Sequence, residues 1–142
     1  MLNEYFWHAE PTTDGGCVIT GNIGSELFVY RLDSLGSVVW RGAEQGAGDS
    51  QARGIVNTAQ GDFAVTGMTN VGAYLCRVSA DGIWGTSTFY GIPYKETATD
   101  LCQTYDGGFV IVGGISGAYG ARDADVYVVK TDQGEASPNP TP

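Results

Sequence analysis

DGGCVITG (Asp14–Gly21), QGDFAVTG (Gln60–Gly67) and DGGFVIVG (Asp106–Gly113) repeat one phrase three times. The starting positions, 14, 60 and 106, are two equal steps of 46 residues. The register extends outward. VYRLDSLGSVVW (Val29–Trp40) aligns with LCRVSADGIWGT (Leu75–Thr86) at the same step, and VVKTDQGEA (Val128–Ala136) is a third copy. A cation recurs at Arg31, Arg77 and Lys130. Before Lys130 the third copy carries seven extra residues in the glycine-rich stretch GISGAYGARDAD, where a loop between strands accepts length at small entropic cost.

Each unit reads as four short strands. Strand one is GIVNTA (Gly54–Ala59) or DLCQTY (Asp100–Tyr105). Strand two is CVITG, FAVTG or FVIVG, and strand three is LFVYRL, AYLCRV or VYVVKT. Strand four is SVVW in the first unit and IWGTSTF in the second. Asp-Gly-Gly, Ser-Leu-Gly, Ala-Asp-Gly and Asp-Gln-Gly supply residues that accept positive φ at hairpins. Strands two and three hardly alternate; they are apolar on both faces, as burial between two like sheets requires. A repeat of this length, built from four antiparallel strands that cannot bury their faces alone, predicts an all-β fold of propeller-type blades.

Composition agrees. Of 142 residues, 22 are glycine and 11% are aromatic, while only 16% are charged, which suits many tight turns and leaves little material for helices. The net charge of −9 argues against neutralising nucleic-acid phosphates or docking on anionic lipid. No apolar run approaches the roughly 20 residues of a membrane-spanning helix. The opening MLNEYFWHAE has neither the basic start nor the apolar stretch of a secretory signal. Cys17, Cys76 and Cys102 lie in strand-like runs without a CxxC pair and read as small buried hydrophobes.

The phrases TDGGCVITGN…FVYRLDSLGSVVW and YDGGFVIVGG…DVYVVKTDQG resemble the β-propeller blade repeats of bacterial and archaeal secreted or surface proteins. That resemblance spans about residues 9–134. It implies a propeller fold, an extracellular or cell-surface location and a binding or structural role; it carries over no catalytic residue. The second unit departs from the pattern: Asp62 stands where the second glycine does, and the strand-four tryptophan is shifted to Trp84.

The expected organisation is an N-terminal strand (1–8), a first blade (9–52), a second (53–98), an incomplete third (99–134) and a proline-rich tail (135–142). Pro138, Pro140 and Pro142 cannot donate to a ladder, so the third unit lacks its own strand four. YFWH (Tyr5, Phe6, Trp7, His8) resembles VVWR of the first unit's strand four. This suggests that residues 4–8 complete the third blade of a neighbouring copy, giving a homo-oligomeric ring or a head-to-tail polymer. The alternative is a glycan- or protein-binding module, or a piece of a longer propeller.

No enzyme is expected. His8 is the one histidine, and no HExxH, P-loop, GxSxG or GxGxxG pattern is present. No cofactor is expected. Asp123, Asp125 and Asp132 are weak Ca²⁺ candidates, since hard cations need several oxygens. Trp40, Trp84, Phe89, Tyr90 and Tyr94 gather in sequence around strand four and suit a subunit contact or a sugar platform. The repeated cation at positions 31, 77 and 130 is expected to pair with a nearby carboxylate.

Overall fold

The computed structural model describes residues 2–46, 48–91, 96–115 and 125–135. Among them there is no helix, and the strands form three antiparallel sheets in chain order. Sheet 1 is β1 (Glu4–Pro11), β2 (Cys17–Ile23), β3 (Glu26–Leu32) and β4 (Val38–Gln45). Sheet 2 is β5 (Gln51–Asn57), β6 (Phe63–Thr69), β7 (Gly72–Val78) and β8 (Thr88–Tyr90). Sheet 3 is β9 (Glu96–Gln103), β10 (Phe109–Ile115) and β11 (Asp125–Lys130).

The N-terminal strand is the principal correction. Glu4–Pro11 pairs with β2, from Glu4 opposite Ile23 to Pro11 opposite Cys17. It is strand one of its own unit, not a spare strand four for another copy. The sheets begin at Glu4, Gln51 and Glu96, so boundaries placed after residues 8, 52 and 98 fall inside strands. Strand four of the second unit is also shorter than expected. Only Thr88–Tyr90 pairs continuously with β7, and Trp84 makes a single bridge to Val78.

Glycine punctuates each unit for two backbone reasons. Gly15, Gly61 and Gly107 hold φ of 85°, 86° and 84° in the hairpin after strand one, where a side chain would be strained. Gly21, Gly67 and Gly113 lie opposite a bulge in strand one. A Cβ there would stand 1.9, 2.0 and 1.8 Å from the carbonyl oxygens of Tyr5, Gln51 and Thr97. Tyr5, Gln51 and Thr97 are themselves repeat equivalents, so the same bend is built three times.

Two cores join the sheets. Between sheets 1 and 2 lie Val18, Leu27 and Val29 from one side and Ile55, Val65 and Tyr74 from the other, with Trp40 and Trp84 packed against them. Between sheets 2 and 3 lie Ala64, Ala73 and Leu75, facing Phe109, Ile111 and Tyr127. The middle sheet is therefore covered on both faces, and β6 is buried from Phe63 to Gly67. This is the outcome expected of strands without polar alternation.

The sheets fan rather than lie parallel. Two sheet-to-sheet spacings of about 10 Å would hold sheets 1 and 3 about 20 Å apart. Yet His8 Nδ1 of β1 is 3.6 Å from Asp100 Oδ1 of β9. Gly54 of β5 lies between them in the repeat, and a Cβ there would be 3.0 Å from Asp100 Cα. Residue size explains the wedge. Ala52, Gly54 and Ala98 line the strand-one side, whereas Trp40 and Trp84 occupy the strand-four side.

Candidate functional site

The repeat sorts side chains onto two faces. The front face of each sheet looks toward the next unit, and the back face looks toward the previous one. Val18, Leu27 and Val29 form the front of sheet 1; Ala64, Ala73 and Leu75 form that of sheet 2. All six are buried. Their equivalents in sheet 3 are Val110, Val126 and Val128, and Val126 and Val128 are 82% and 49% exposed. Cys102 belongs to the same face. It is exposed, contrary to the expectation of a buried thiol, whereas its equivalent Val56 packs into the second core.

The back faces repeat the pattern in reverse. Ile55, Val65 and Tyr74 on sheet 2, and Leu101, Ile111 and Tyr127 on sheet 3, are buried against a neighbour. On sheet 1 the equivalents are Ala9, Ile19 and Phe28. Ala9 is exposed and Ile19 half-buried. Phe28 is covered from within its own sheet, by the edge of Phe6 at 5.2 Å, by Tyr30 at 5.2 Å and by the Arg41 guanidinium at 5.8 Å. Phe6 itself is 60% exposed. Phe6, Ala9 and Ile19 border a shallow apolar depression there.

The N-terminal aromatics thus serve β1. Trp7 donates its indole N–H to Asn22 Oδ1 at 2.7 Å, stacks with Tyr5 at 5.4 Å and lies under Arg53 at 4.8 Å. His8 Nδ1 accepts from the Ile55 amide at 3.3 Å, which ties β1 to β5. Sequence reasoning recognised an N-terminal strand but gave it the wrong place, because YFWH resembles strand four while Glu10 and Pro11 interrupt the apolar pattern of strand one. The signal lay in the repeat: one step of 46 back from Gly54–Ala59 reaches His8–Thr13.

The strand-four aromatics do not form one platform. Trp40 tilts against Phe63 at 5.9 Å, and both Trp40 and Trp84 belong to the first core. Tyr90 belongs to the second core and donates its hydroxyl to Glu135 O at 2.6 Å; burial raises its pKa. Phe89 alone of the four is largely exposed, and Tyr94 lies outside the described residues. The Ca²⁺ reading also fails geometrically for two of its carboxylates. β11 runs between Asp125 and Asp132 and holds them on the order of 20 Å apart. Asp123 lies outside the described residues, among which no cluster of three or more potential metal ligands occurs.

The repeated cation pairs as expected. Arg31 binds Asp14, Arg77 Nε donates to Asp62 Oδ2 at 2.9 Å, and Lys130 lies 2.9 Å from Asp106 Oδ2. In the second unit Gln60 occupies the position of Asp14 and Asp106, and Asp62, two residues on, supplies the charge instead. Hydrogen bonds from Thr12 and the Gly16 amide, then Arg31, hold the Asp14 carboxyl below its ordinary pKa. Thr104, then Lys130 and the Gly108 amide, hold that of Asp106 well below. Burial works to raise Asp62, but hydrogen bonds from Arg77 and Thr58 outweigh it and keep its pKa low. A cleft of about 430 Å³ opens beside the first two of these pairs, lined by Thr12, Asp14, Arg31, Asn57 and Asp62. Its charges already neutralise one another.

No protein-family model matches this chain, and no curated protein matches it in sequence.

Proposed function

We propose that the chain is a non-enzymatic structural protein of the β-propeller type that associates with copies of itself, working outside the cell or on its surface. One observation carries this reading. The front of sheet 3 and the back of sheet 1 leave Val126, Val128, Ala9 and Phe6 in solvent, although the equivalents of Val128 and Ala9, namely Leu75 and Ile55, are buried. Exposed apolar faces of this kind mark association sites. The inward wedge at His8, Gly54 and Asp100 supports a curved array of sheets around a common axis. Its extracellular placement rests on the resemblance of the repeats to those of secreted proteins. Because β1 is paired within its own sheet, association proceeds through faces and not through donation of residues 4–8.

Light scattering over a dilution series tests this reading. A concentration-dependent mass above that of the 14.9 kDa chain supports it; a well-folded monomer at every concentration refutes it. The cleft beside Asp14 and Asp62 favours a second reading, a glycan- or protein-binding module. A glycan array that stays blank with folded protein removes the sugar version.

A further inference from the structure

We infer that the contact between copies is front-to-back: the Val110–Val112–Val126–Val128 face of one chain seats on the Ala9–Ile19–Tyr30 face of a second. This rests on the self-association reading and specifies its interface.

The argument comes from the two contacts already present inside the chain. Both are front-to-back, with sheet 1 presenting its front to the back of sheet 2 and sheet 2 to the back of sheet 3. The exposed front of sheet 3 is the third copy of a surface that has met a back face twice. Its Val128 occupies the position of Val29 and Leu75, both 0% exposed. The exposed back of sheet 1 is the first copy of a surface that has met a front face twice. Its Ala9 occupies the position of Ile55 and Leu101, 0% and 5% exposed. A second chain therefore offers each face the partner that the repeat has already selected. Such an interface is heterologous, so each chain has one of each face and can add neighbours until the curvature closes.

The contact is weaker than its internal counterparts for an identifiable reason. Asn57 of β5 reaches back to donate to Pro11 O at 2.7 Å, and Gln103 of β9 reaches back to accept from the Ala59 amide at 2.7 Å. The equivalent residue on sheet 1 is Pro11, which has no amide side chain. Its counterpart across the new contact would be Tyr105, the equivalent of Ala59, whose side chain is fully exposed. Association is accordingly reversible and depends on concentration.

Two charge substitutions at exposed positions test the polarity of the interface. Val128→Asp blocks the front, and Ala9→Asp blocks the back. Neither replaces a side chain buried within the chain, and circular dichroism checks that each variant is folded. Each variant alone should self-associate more than about 100-fold more weakly than the parent protein, because a carboxylate would be buried at the contact. Mixed together, they should form a one-to-one dimer that grows no further, with the intact front of Ala9→Asp on the intact back of Val128→Asp. If the parent chain is monomeric throughout, self-association itself is wrong. If the parent associates but either variant alone still dimerises, or the mixture does not pair, the front-to-back geometry is wrong while self-association stands.

Discussion

Leu75 in the middle sheet and Val128 in the last sheet occupy the same repeat position on the same face. The first is 0% exposed and the second 49%. Nothing in the local pattern separates them, since both sit in strand three between apolar neighbours. The difference is that sheet 3 lies over Leu75, while no described residue covers Val128 in this way. Sheet 1 and sheet 2 teach the same lesson from the other side, with Ala9 exposed where Ile55 is buried. In a repeat fold, a residue's energetic weight comes from the adjacent unit as much as from its own.

The largest expected effect comes from breaking that comparison directly. Leu75→Ala should destabilise the folded chain by about 3 kcal/mol, because it leaves a cavity between two sheets. Val128→Ala should change the stability of the dilute chain by less than about 0.5 kcal/mol. Urea unfolding of the two variants reads the contrast. Equal losses would mean that Val128 is covered in the isolated chain.

Next in size is the shared bend. Gly67→Ala places a methyl 2.0 Å from Gln51 O on neighbouring backbone, which must move. A loss of about 2 kcal/mol is expected by the same measurement. An unchanged urea midpoint would show that β5 can shift away without cost.

The turn carboxylates sharpen the comparison between units through pH. Asp14, Asp62 and Asp106 have folded-state pKa values below those of the unfolded chain. The stability they contribute is fully present above the unfolded carboxylate value of about 4, and it is lost as pH falls through the lower folded values. Urea midpoints should therefore be flat on this account above about pH 5 and should fall below about pH 4. Asp62→Asn should cost about 1 kcal/mol at neutral pH and make the acid slope shallower. Asp106→Asn, at a more exposed pair, should do less. An acid slope untouched by Asp62→Asn would assign it to other carboxylates.

The smallest effect probes the one front-to-back contact that lacks an amide clasp. Pro11→Gln keeps the carbonyl that Asn57 uses and adds the side chain that Gln103 provides elsewhere. It should tighten association about fivefold, the equivalent of one hydrogen bond of about 1 kcal/mol. Sedimentation equilibrium beside the parent protein measures it, and unchanged affinity would mean that Tyr105 does not face residue 11 across the contact.

Much of this was legible in the residues. The step of 46, the positive-φ turn glycines and the two-sided apolar strands point to three antiparallel units, and a recurring cation whose stem lies over apolar neighbours is expected to pair with a nearby carboxylate; that these are Asp14, Asp62 and Asp106 is seen only in the structure. The strand that was misassigned, Glu4–Pro11, carries His8, Glu10 and Pro11 where the second unit carries Gly54, Val56 and Asn57, so its residues do not resemble strand one; the step of 46 points to that position and the pairing with β2 establishes it. Trp84 and Tyr90 are close in sequence yet divide between two cores, because Trp84 lies opposite Val78 on the back of sheet 2, where it joins Trp40, and Tyr90 lies opposite Ala73 on its front.

By itself, the sequence determined the repeat, its turns and its strands two and three, because glycine conformation and apolar patterning act over a few residues. Tertiary structure alone decided which of three equivalent faces are covered. It also decided that the sheets converge on Gly54, bringing His8 to Asp100, and that Cys102 faces solvent. Burial and convergence depend on what lies about 10 Å away in the next sheet, and residues adjacent in the chain do not encode that distance.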